Sequence, residues 1–323
     1  NNTIYSVNDN YTINSRMLNN LVVTFNQTNN DNFQIYPPDY RSLGITNVYN
    51  DATPQWFFNV SGYFDVNTGD TNTFNRDEFQ IVDTVRMTFA KHDVALGVDY
   101  SYGQGDIVNN FRANGRYTFN GSAPFTGDAL ADFMLGKFQN FEQGIGEYKN
   151  TRMHFFSAFV NDTYRLNPNL TLSLGVRWDP FIPYSDVNDR LAGFRPGQQS
   201  TVYVNAPTGA VFPGDANFPK NGYEATWGNL GPRVGFAYDP FGDGKSSIRA
   251  GYGIFYDKPN TIATNSPANQ GPFGTVVRVD GNANNGIVDP FVGTTNPFPA
   301  DPFNVPSNVS FVLPHTMFVY SPD

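Results

Sequence analysis

The sequence predicts an all-β fold, an antiparallel up-and-down β-barrel with long loops at one end. Three observations predict it: residue types alternate with a period of two along several segments, glycines recur on the polar face of these segments, and short and long connections alternate along the chain. A period of two is typical of strands with two unlike faces. Helical periodicity is nearly absent, so we expect strands to dominate the fold.

Seven segments carry the alternation. In the segment 172–178, the apolar residues Leu172, Leu174, Val176 and Trp178 alternate with small, polar or charged ones. The same pattern recurs with different residues in the other segments, which supports one repeated structural unit. The seven predicted strands lie at about 21–25, 79–89, 94–102, 153–164, 172–178, 234–238 and 248–256.

The connections between these strands are sorted by length. Because consecutive antiparallel strands place alternate connections at opposite ends, the short connections all fall at one end and the long ones at the other. A soluble β-sandwich has no reason for such sorting, whereas it is typical of a barrel that crosses a membrane. The short turns lie at Asp93, 167–169 and 242–244, and the long loops at about 30–76, 103–150, 181–227 and from 258 onward.

Two stretches within the loops have a recognisable pattern of their own. The segment from Trp56 to Val66 still alternates, so it is expected to extend strands beyond the membrane. The segment "GDALADFMLGKF" predicts a two-turn helix with Asp128 as N-cap and its end at Gly136. This helix is expected to be a packing element of the loops, with a mobile lid as the alternative.

The composition excludes several classes of protein. The net charge of −9 and a pI of about 4.7 argue against nucleic acid as a partner. The absence of cysteine excludes disulfides and thiolate chemistry, and no apolar run is long enough for a membrane-spanning helix. The start of the chain has no signal-like segment, so we expect a mature product or a piece of a longer protein. Aromatic residues reach 16% although the mean hydropathy is −0.41, which indicates an ordered chain with neutral polar residues.

The composition of the polar face indicates whether the predicted strands belong to a protein in water or to one in lipid. It carries many glycines and few of the lysines and glutamates that a surface in bulk water normally has. We therefore expect this face to line a barrel lumen and the apolar face to contact lipid. The alternatives are a large soluble β-sandwich or propeller, and a secreted or fibrous β-protein. Candidates for the aromatic girdle are Trp178, Tyr238, Tyr256 and Tyr102, and lumen-facing candidates are Arg177, Arg249, Asp179 and Asp257.

No motif in the chain predicts catalysis. The stretch 242–247, "GDGKSS", lacks the glycine that a phosphate-binding P-loop needs at Asp239, and 251–256, "GYGIFY", lacks the third glycine of a dinucleotide site. The carboxylate pairs Asp128/Asp132 and Asp186/Asp189 are best explained as solvated loop charge, with glycosidase chemistry or Ca²⁺ binding as alternatives. We expect a protein that is not an enzyme and holds no cofactor or metal.

Several segments together resemble one known family. "FVNDTYRLNPNLTLSLGVRWDP" (159–180), "NLGPRVGFAYDPFGDGKSSIRAGYGIFYD" (229–257) and "GDALADFMLG" (127–136) are similar to the TonB-dependent outer-membrane receptors of the Oar-like group. "KHDVALGVDY" (91–100) and "NNFRANGRYTFNG" (109–121) fit the same group. The resemblance implies part of a 22-stranded barrel, with the N-terminal plug and the C-terminal barrel strands missing from residues 1–323.

The resemblance also implies a function. Such receptors sit in the outer membrane of Gram-negative-type bacteria and take up a large or scarce substrate through a plugged barrel. The partners it implies are a TonB-type energy-coupling protein acting through the missing plug, outer-membrane lipid, the rest of the same receptor and an extracellular ligand held by the long loops. The alternative is a structural or adhesive surface protein that self-assembles through its open strand edges.

Overall fold

The computed structural model describes residues 1–32, 40–46, 56–110, 112–122, 125–257, 271–282, 284–295, 297–298, 301 and 304–311. Parts of the connection predicted from 258 onward, including 258–270 and 312–323, lie outside the described residues. The elements are β1 (Asn2–Asn14), β2 (Met17–Asn32), a 3₁₀ helix (Tyr40–Leu43), β3 (Phe57–Val60), β4 (Phe64–Asn67), β5 (Asn72–Phe89), β6 (His92–Asn109), β7 (Arg116–Phe119), α1 (Ala129–Met134), β8 (Asn140–Gly144), β9 (Glu147–Asn167), β10 (Leu170–Trp178), β11 (Ser185–Asp186), β12 (Gly193–Phe194), β13 (Ala210–Val211), β14 (Leu230–Tyr238), β15 (Ile248–Gly253) and β16 (Val276–Asp280).

Eight long strands form one antiparallel sheet, which we call the barrel sheet. Their order is β1-β2-β5-β6-β9-β10-β14-β15, so each strand pairs with the long strands that precede and follow it in the chain. The turns 15–16, 90–91, 168–169 and 239–247 join them at one end, and the long connections leave from the other end. The predicted sorting of the connections by length is therefore confirmed.

The strands of the barrel sheet differ from the prediction in number and length. β1 is an eighth strand that sequence reasoning missed. Its alternation is interrupted on both faces, by Asp9 among the apolar residues and by Ile4 among the polar ones. β5, β6 and β9 extend four or more residues into the predicted loops. Within the described residues β1 and β15 are the edges of the sheet and do not pair with each other, so the sheet is open.

The long connections fold into a structure of their own, which we call the loop layer. It contains a five-stranded sheet in the order β16-β8-β7-β3-β4, built from three different connections. The expectation that the stretch from Trp56 to Val66 extends the barrel strands is wrong. This stretch forms β3 and enters β4, which pair with each other and, through β3, with β7.

The loop layer is held together by an aromatic core. Tyr117, Phe119 and Phe141 are fully buried there, and the rings of Tyr117 and Phe141 lie 4.5 Å apart. Helix α1 packs on β3 and β7, with the ring of Phe133 5.9 Å from that of Phe58. Members of this core are Tyr40, Ile45, Phe58, Val60, Tyr117, Phe119, Ala129, Phe138, Phe141, Val277 and Phe291.

A second, smaller core lies beside the β12–β13 hairpin. Phe212 is fully buried there, and its ring contacts those of Tyr203 at 4.8 Å and Phe273 at 6.1 Å. It joins the connection between β10 and β14 to the segment after β15.

The predicted helix is confirmed. Asp128 is its N-cap and accepts a hydrogen bond from the backbone N–H of Ala131 at 2.8 Å, and the chain leaves the helix through Gly136 with φ of 66°. No helix among the described residues is long and apolar enough to cross a membrane.

Candidate functional site

The register of the barrel sheet separates two faces. Gly97 is opposite Phe159, and Phe159 is opposite Arg177, which is two residues from Gly175 on β10. Gly235 is opposite Ser173, which is two residues from Gly175 in the other direction. Gly97, Gly175 and Gly235 therefore share one face, which we call the glycine face. Leu172, Leu174, Val176 and Trp178 share the other, which we call the apolar face. The predicted division of the strands into these faces is confirmed, whereas the side on which lipid lies stays a prediction.

Aromatic rings cluster at the loop end of the apolar face. The ring of Trp178 lies 5.5 Å from that of Phe156, and its Nε1 donates a hydrogen bond to the carbonyl oxygen of Trp227 at 2.7 Å. On the neighbouring strand, the rings of Tyr102 and His154 are 5.0 Å apart. An amphipathic ring with a satisfied polar atom is typical of a membrane interface. The girdle candidate Tyr256 is at this end too, three residues beyond the end of β15 at Gly253.

A second aromatic cluster lies at the turn end of the same face. The girdle candidate Tyr238 ends β14, opposite Leu170, while the rings of His92 and Tyr164 stack at 4.4 Å. Between Leu170 and Trp178 the strand advances eight residues, or about 26 Å. In a strand tilted by about 40°, this length crosses about 20 Å of the apolar band of an outer-membrane barrel, which is about 25 Å tall.

The apolar face also carries hydrogen-bonded polar residues. Asp83 accepts a hydrogen bond from Asn19 at 2.5 Å, and Asp162 contacts His92 at 2.7 Å. A polar side chain on a face that contacts lipid needs an internal partner of this kind.

The glycines of the other face make room for large side chains. A Cβ atom on Gly97 would lie 2.4 Å from the ring of Phe159, and one on Gly175 would lie 2.2 Å from Oδ1 of Asn161. Both contacts are far closer than atoms can approach, so the side chains of Phe159 and Asn161 occupy the space that a Cβ atom would need. The guanidinium carbon of Arg177 lies 5.9 Å from the centre of the Phe159 ring.

Two of the four predicted lumen residues meet in one cluster. Arg177 donates to Asp179 at 2.8 Å and to the hydroxyl of Ser157, and it lies 3.6 Å from Asp99. Gln80 donates to the same Asp99 at 2.9 Å. Four of these side chains come from the neighbouring strands β5, β6, β9 and β10, and that of Asp179 comes from just beyond β10. The cluster therefore cross-links the glycine face near its loop end.

The other two predicted lumen residues do not join this cluster. Arg249 lies near the turn end of β15, is exposed and donates to the hydroxyl of Ser247 at 3.1 Å. Asp257 lies beyond the loop end of the same strand. The two residues are therefore at opposite ends of β15 and do not form a pair with each other.

A buried charge network ties the loop layer to β9. Asp186 in β11 pairs with Arg190 at 3.3 Å, and both side chains are almost fully buried. The other carboxylate oxygen of Asp186 accepts a hydrogen bond from the backbone N–H of Asn150 at 3.0 Å. Beside it, Asp106 accepts from Asn150 at 2.8 Å and from Arg152 at 3.0 Å. Burial alone would raise the pKa of Asp106, but these hydrogen bonds and the charge of Arg152 outweigh it and lower the pKa.

Lys149 lies next to this network and was missed by sequence reasoning. It is five residues beyond His154 on β9, outside the aromatic clusters, and its side chain is 3% exposed. Burial lowers its pKa to about 8, against the opposing charges of Glu147 and Asp186. A lone lysine in an alternating strand carries no signal of burial, because the loop that covers it is distant in sequence.

The two carboxylate pairs have local structural partners. Asp132 accepts from the backbone N–H and hydroxyl of Thr126, while Asp128 caps α1 and accepts from the hydroxyl of Tyr63. Asp186 is held by Arg190, and Asp189 lies 3.5 Å from Lys220. In the part of the chain that the structure describes, no group of three or more His, Cys, Asp or Glu could hold a metal ion.

The antiparallel barrel sheet, its two aromatic clusters and its sorted connections define the barrel domain of a membrane protein. The chain belongs to the outer-membrane β-barrel domain family, whose model matches residues 1–323. The protein is located in the outer membrane.

Among solved structures, the chain is similar to the copper transporter OprC. The TM-score is 0.40 and the sequence identity 13%, over 79% of this chain. The chain spans 30% of the length of OprC. No curated protein matches the chain.

Proposed function

We propose that this chain is the interior part of the barrel of a TonB-dependent receptor of the Oar-like group. The receptor takes up a large or scarce substrate from outside the cell, through a 22-stranded barrel filled by a plug. The observation that carries the proposal is the combination of eight up-and-down strands with a folded layer over their loop end only.

The open edges of the barrel sheet support a larger barrel. β1 is exposed along all thirteen residues, and β15 forms the opposite edge. Unpaired backbone groups cannot stand in hydrocarbon, so further strands must cover both edges. In a receptor of 22 strands, the rest of the same protein supplies them.

The loop layer supports binding of a substrate at the outer surface. Three connections contribute to one aromatic core, so they present a fixed surface instead of independent loops. A rigid scaffold that carries variable surface segments is the usual construction of a binding site. We propose binding and transport without catalysis, and TonB as the partner that displaces the plug.

The proposal is tested on the native receptor, purified in detergent from outer membranes. Single-particle imaging is expected to show one closed barrel with a plug inside, and the receptor is expected to bind the purified periplasmic domain of TonB. A closed particle without a plug, or an intact receptor without affinity for TonB, would overturn the proposal.

The exposed edge of β1 favours a second candidate, a structural or adhesive surface protein. In that case β1 of one copy pairs with β15 of the next, and many copies form a continuous sheet. The same imaging distinguishes the two, because regular arrays of open sheets support self-assembly and single closed barrels exclude it.

A further inference from the structure

A small cavity opens in the loop layer at the edge of its five-stranded sheet. Its volume is about 140 Å³, and its walls include Trp56, Phe57, Asp70, Arg112 and Arg116. For comparison, a protein cavity of about 150 Å³ holds one benzene molecule. The cavity therefore has room for a single small ring or a group of similar size, and because it is open on one side, another group of the same ligand can lie at its mouth.

Arg116 brings a positive charge to the wall of this cavity. Its guanidinium carbon lies 4.1 Å from the centre of the Phe57 ring, a cation–π contact that fixes the position of the side chain. Among the described residues it has no hydrogen-bond acceptor and no carboxylate within ion-pair distance, and its Nε is buried without a partner. A buried N–H of a charged group without an acceptor is costly.

Two acidic residues beside Arg116 or in the cavity wall are engaged with other groups. Glu142 is directly opposite Arg116 in the β7–β8 register, but its Oε2 accepts from Arg112 at 2.6 Å and its Oε1 lies 3.9 Å from Arg278. Asp70 in the cavity wall accepts a hydrogen bond from the backbone of Arg112. Among the described residues, neither carboxylate pairs with Arg116, so the guanidinium of Arg116 in the cavity wall can bind an anion.

We propose that this cavity binds the oxyanion end of a small ligand, a carboxylate or a phosphate attached to a flat apolar ring. The guanidinium of Arg116 binds the oxyanion, because a planar fork of N–H donors matches its geometry. The rings of Trp56 and Phe57 provide an apolar wall for the ligand's ring. The proposal deepens the proposed function, on which it rests, by naming a substrate class for the loop layer.

The test is calorimetric titration of the full-length receptor in detergent. Benzoate and phenyl phosphate represent the two oxyanions, while benzyl alcohol and benzamidine are the neutral and cationic controls. We expect saturable binding of at least one oxyanion, at least tenfold tighter than either control. The relative affinities of benzoate and phenyl phosphate distinguish a carboxylate ligand from a phosphate ligand.

Variants assign the binding to the cavity. Arg116→Gln is expected to weaken oxyanion binding at least tenfold, Arg116→Lys to weaken it less, and Trp56→Leu to weaken ring-bearing anions more than inorganic phosphate. Arg86→Gln, near the turn end of the barrel sheet, is the matched control and is expected to leave binding unchanged.

The proposal is overturned if neither oxyanion binds saturably, or if Arg116→Gln keeps the wild-type affinity. If Arg116→Gln alters the near-ultraviolet circular dichroism, Arg116→Lys and Trp56→Leu decide instead, and unchanged affinity in both overturns the proposal. The titration measures ligand binding at the cavity. The proposed transport function is instead contradicted by a missing plug or by absent TonB binding. The failure of one proposal can therefore be told from the failure of the other.

Discussion

The barrel sheet and the loop layer bury their apolar residues in opposite ways. In the barrel sheet, large apolar side chains such as Val234, Tyr252 and Leu174 are 45–69% exposed. In the loop layer, Tyr117, Phe119 and Phe141 are completely buried. The apolar face of the barrel sheet is exposed, as the predicted contact with lipid requires, whereas the loop layer folds around a core, as expected in water.

This difference means that different forces hold the two regions. The barrel sheet depends on backbone hydrogen bonds between strands, since lipid offers no hydrophobic incentive to bury a side chain. The loop layer depends on apolar burial away from water. Removal of apolar volume should therefore destabilise the loop layer most, whereas a charge on the apolar face should destabilise the barrel sheet most.

The largest effect is expected from Phe141→Ala in the core of the loop layer. The cavity left by the phenyl ring should lower the free energy of unfolding of this layer by about 3–5 kcal/mol. Denaturant titration of the receptor in detergent, followed by near-ultraviolet circular dichroism, measures the change. Phe64→Ala, at a site that is 38% exposed, is the control and should cost much less. Equal losses in the two variants would contradict the assignment of the core.

The barrel sheet was predictable from sequence because its signal is local. The alternation of Leu172, Leu174 and Val176 with small residues predicts both the strand and its two faces, and the turn at 168–169 follows from Asn and Pro. The helix was predictable for the same reason, since Asp128 and Gly136 are its own start and stop signals. β1 was missed because Ile4 and Asp9 interrupt its alternation.

The loop layer was not predictable because its order comes from contacts distant in sequence. Phe58, Tyr117 and Phe291 belong to three different connections, and no period in the chain relates them. The charge cluster was predicted only as far as Arg177 and Asp179, which lie two residues apart at the end of β10 and just beyond it. The contribution of Asp99 and Ser157 depends on the register between strands, which short patterns do not specify.

A second prediction tests which face of the barrel sheet contacts lipid. Leu174→Arg places a charge at the middle of β10 on the apolar face, and we expect a cost of about 2–4 kcal/mol in folding into the membrane. Ser173→Arg, one residue away on the glycine face opposite Gly235, should cost little. Heat-modifiable migration of the receptor on gels measures the folded fraction of each variant. A larger loss for Ser173→Arg would reverse the assignment of the faces.

A third prediction concerns the buried Lys149 between the two regions. The unfolded chain binds the lysine proton up to its ordinary pKa of 10.5, whereas the folded chain releases it at about 8. The cost of burying the charge is therefore fully present below pH 8 and disappears as pH rises towards 10.5. The shift corresponds to at most about 3 kcal/mol, at 1.36 kcal/mol per pKa unit.

Lys149→Met is thus expected to stabilise the receptor at pH 7 and to remove the rise in stability between pH 8 and pH 10.5. Thermal unfolding in detergent across this pH range measures it. Lys220→Met is the control, because Lys220 is 72% exposed and its replacement should change neither quantity much. A Lys149→Met variant that is less stable than the wild type at pH 7 would show that its charge holds Asp186 in place.

The smallest effect is expected at the end of α1, where the loop layer depends on backbone conformation. Gly136 has φ of 66°, in the left-handed region that glycine adopts without strain. Gly136→Ala should cost about 1–2 kcal/mol in the loop layer, from this strain and from the contact of a Cβ with Ile287. Gly136→Asn makes the same contact but tolerates the left-handed region better, so it should lie between alanine and glycine. Hydrogen exchange of the amides around α1 measures both variants. Equal losses for alanine and asparagine would assign the cost to Ile287 and leave the backbone with no part in it.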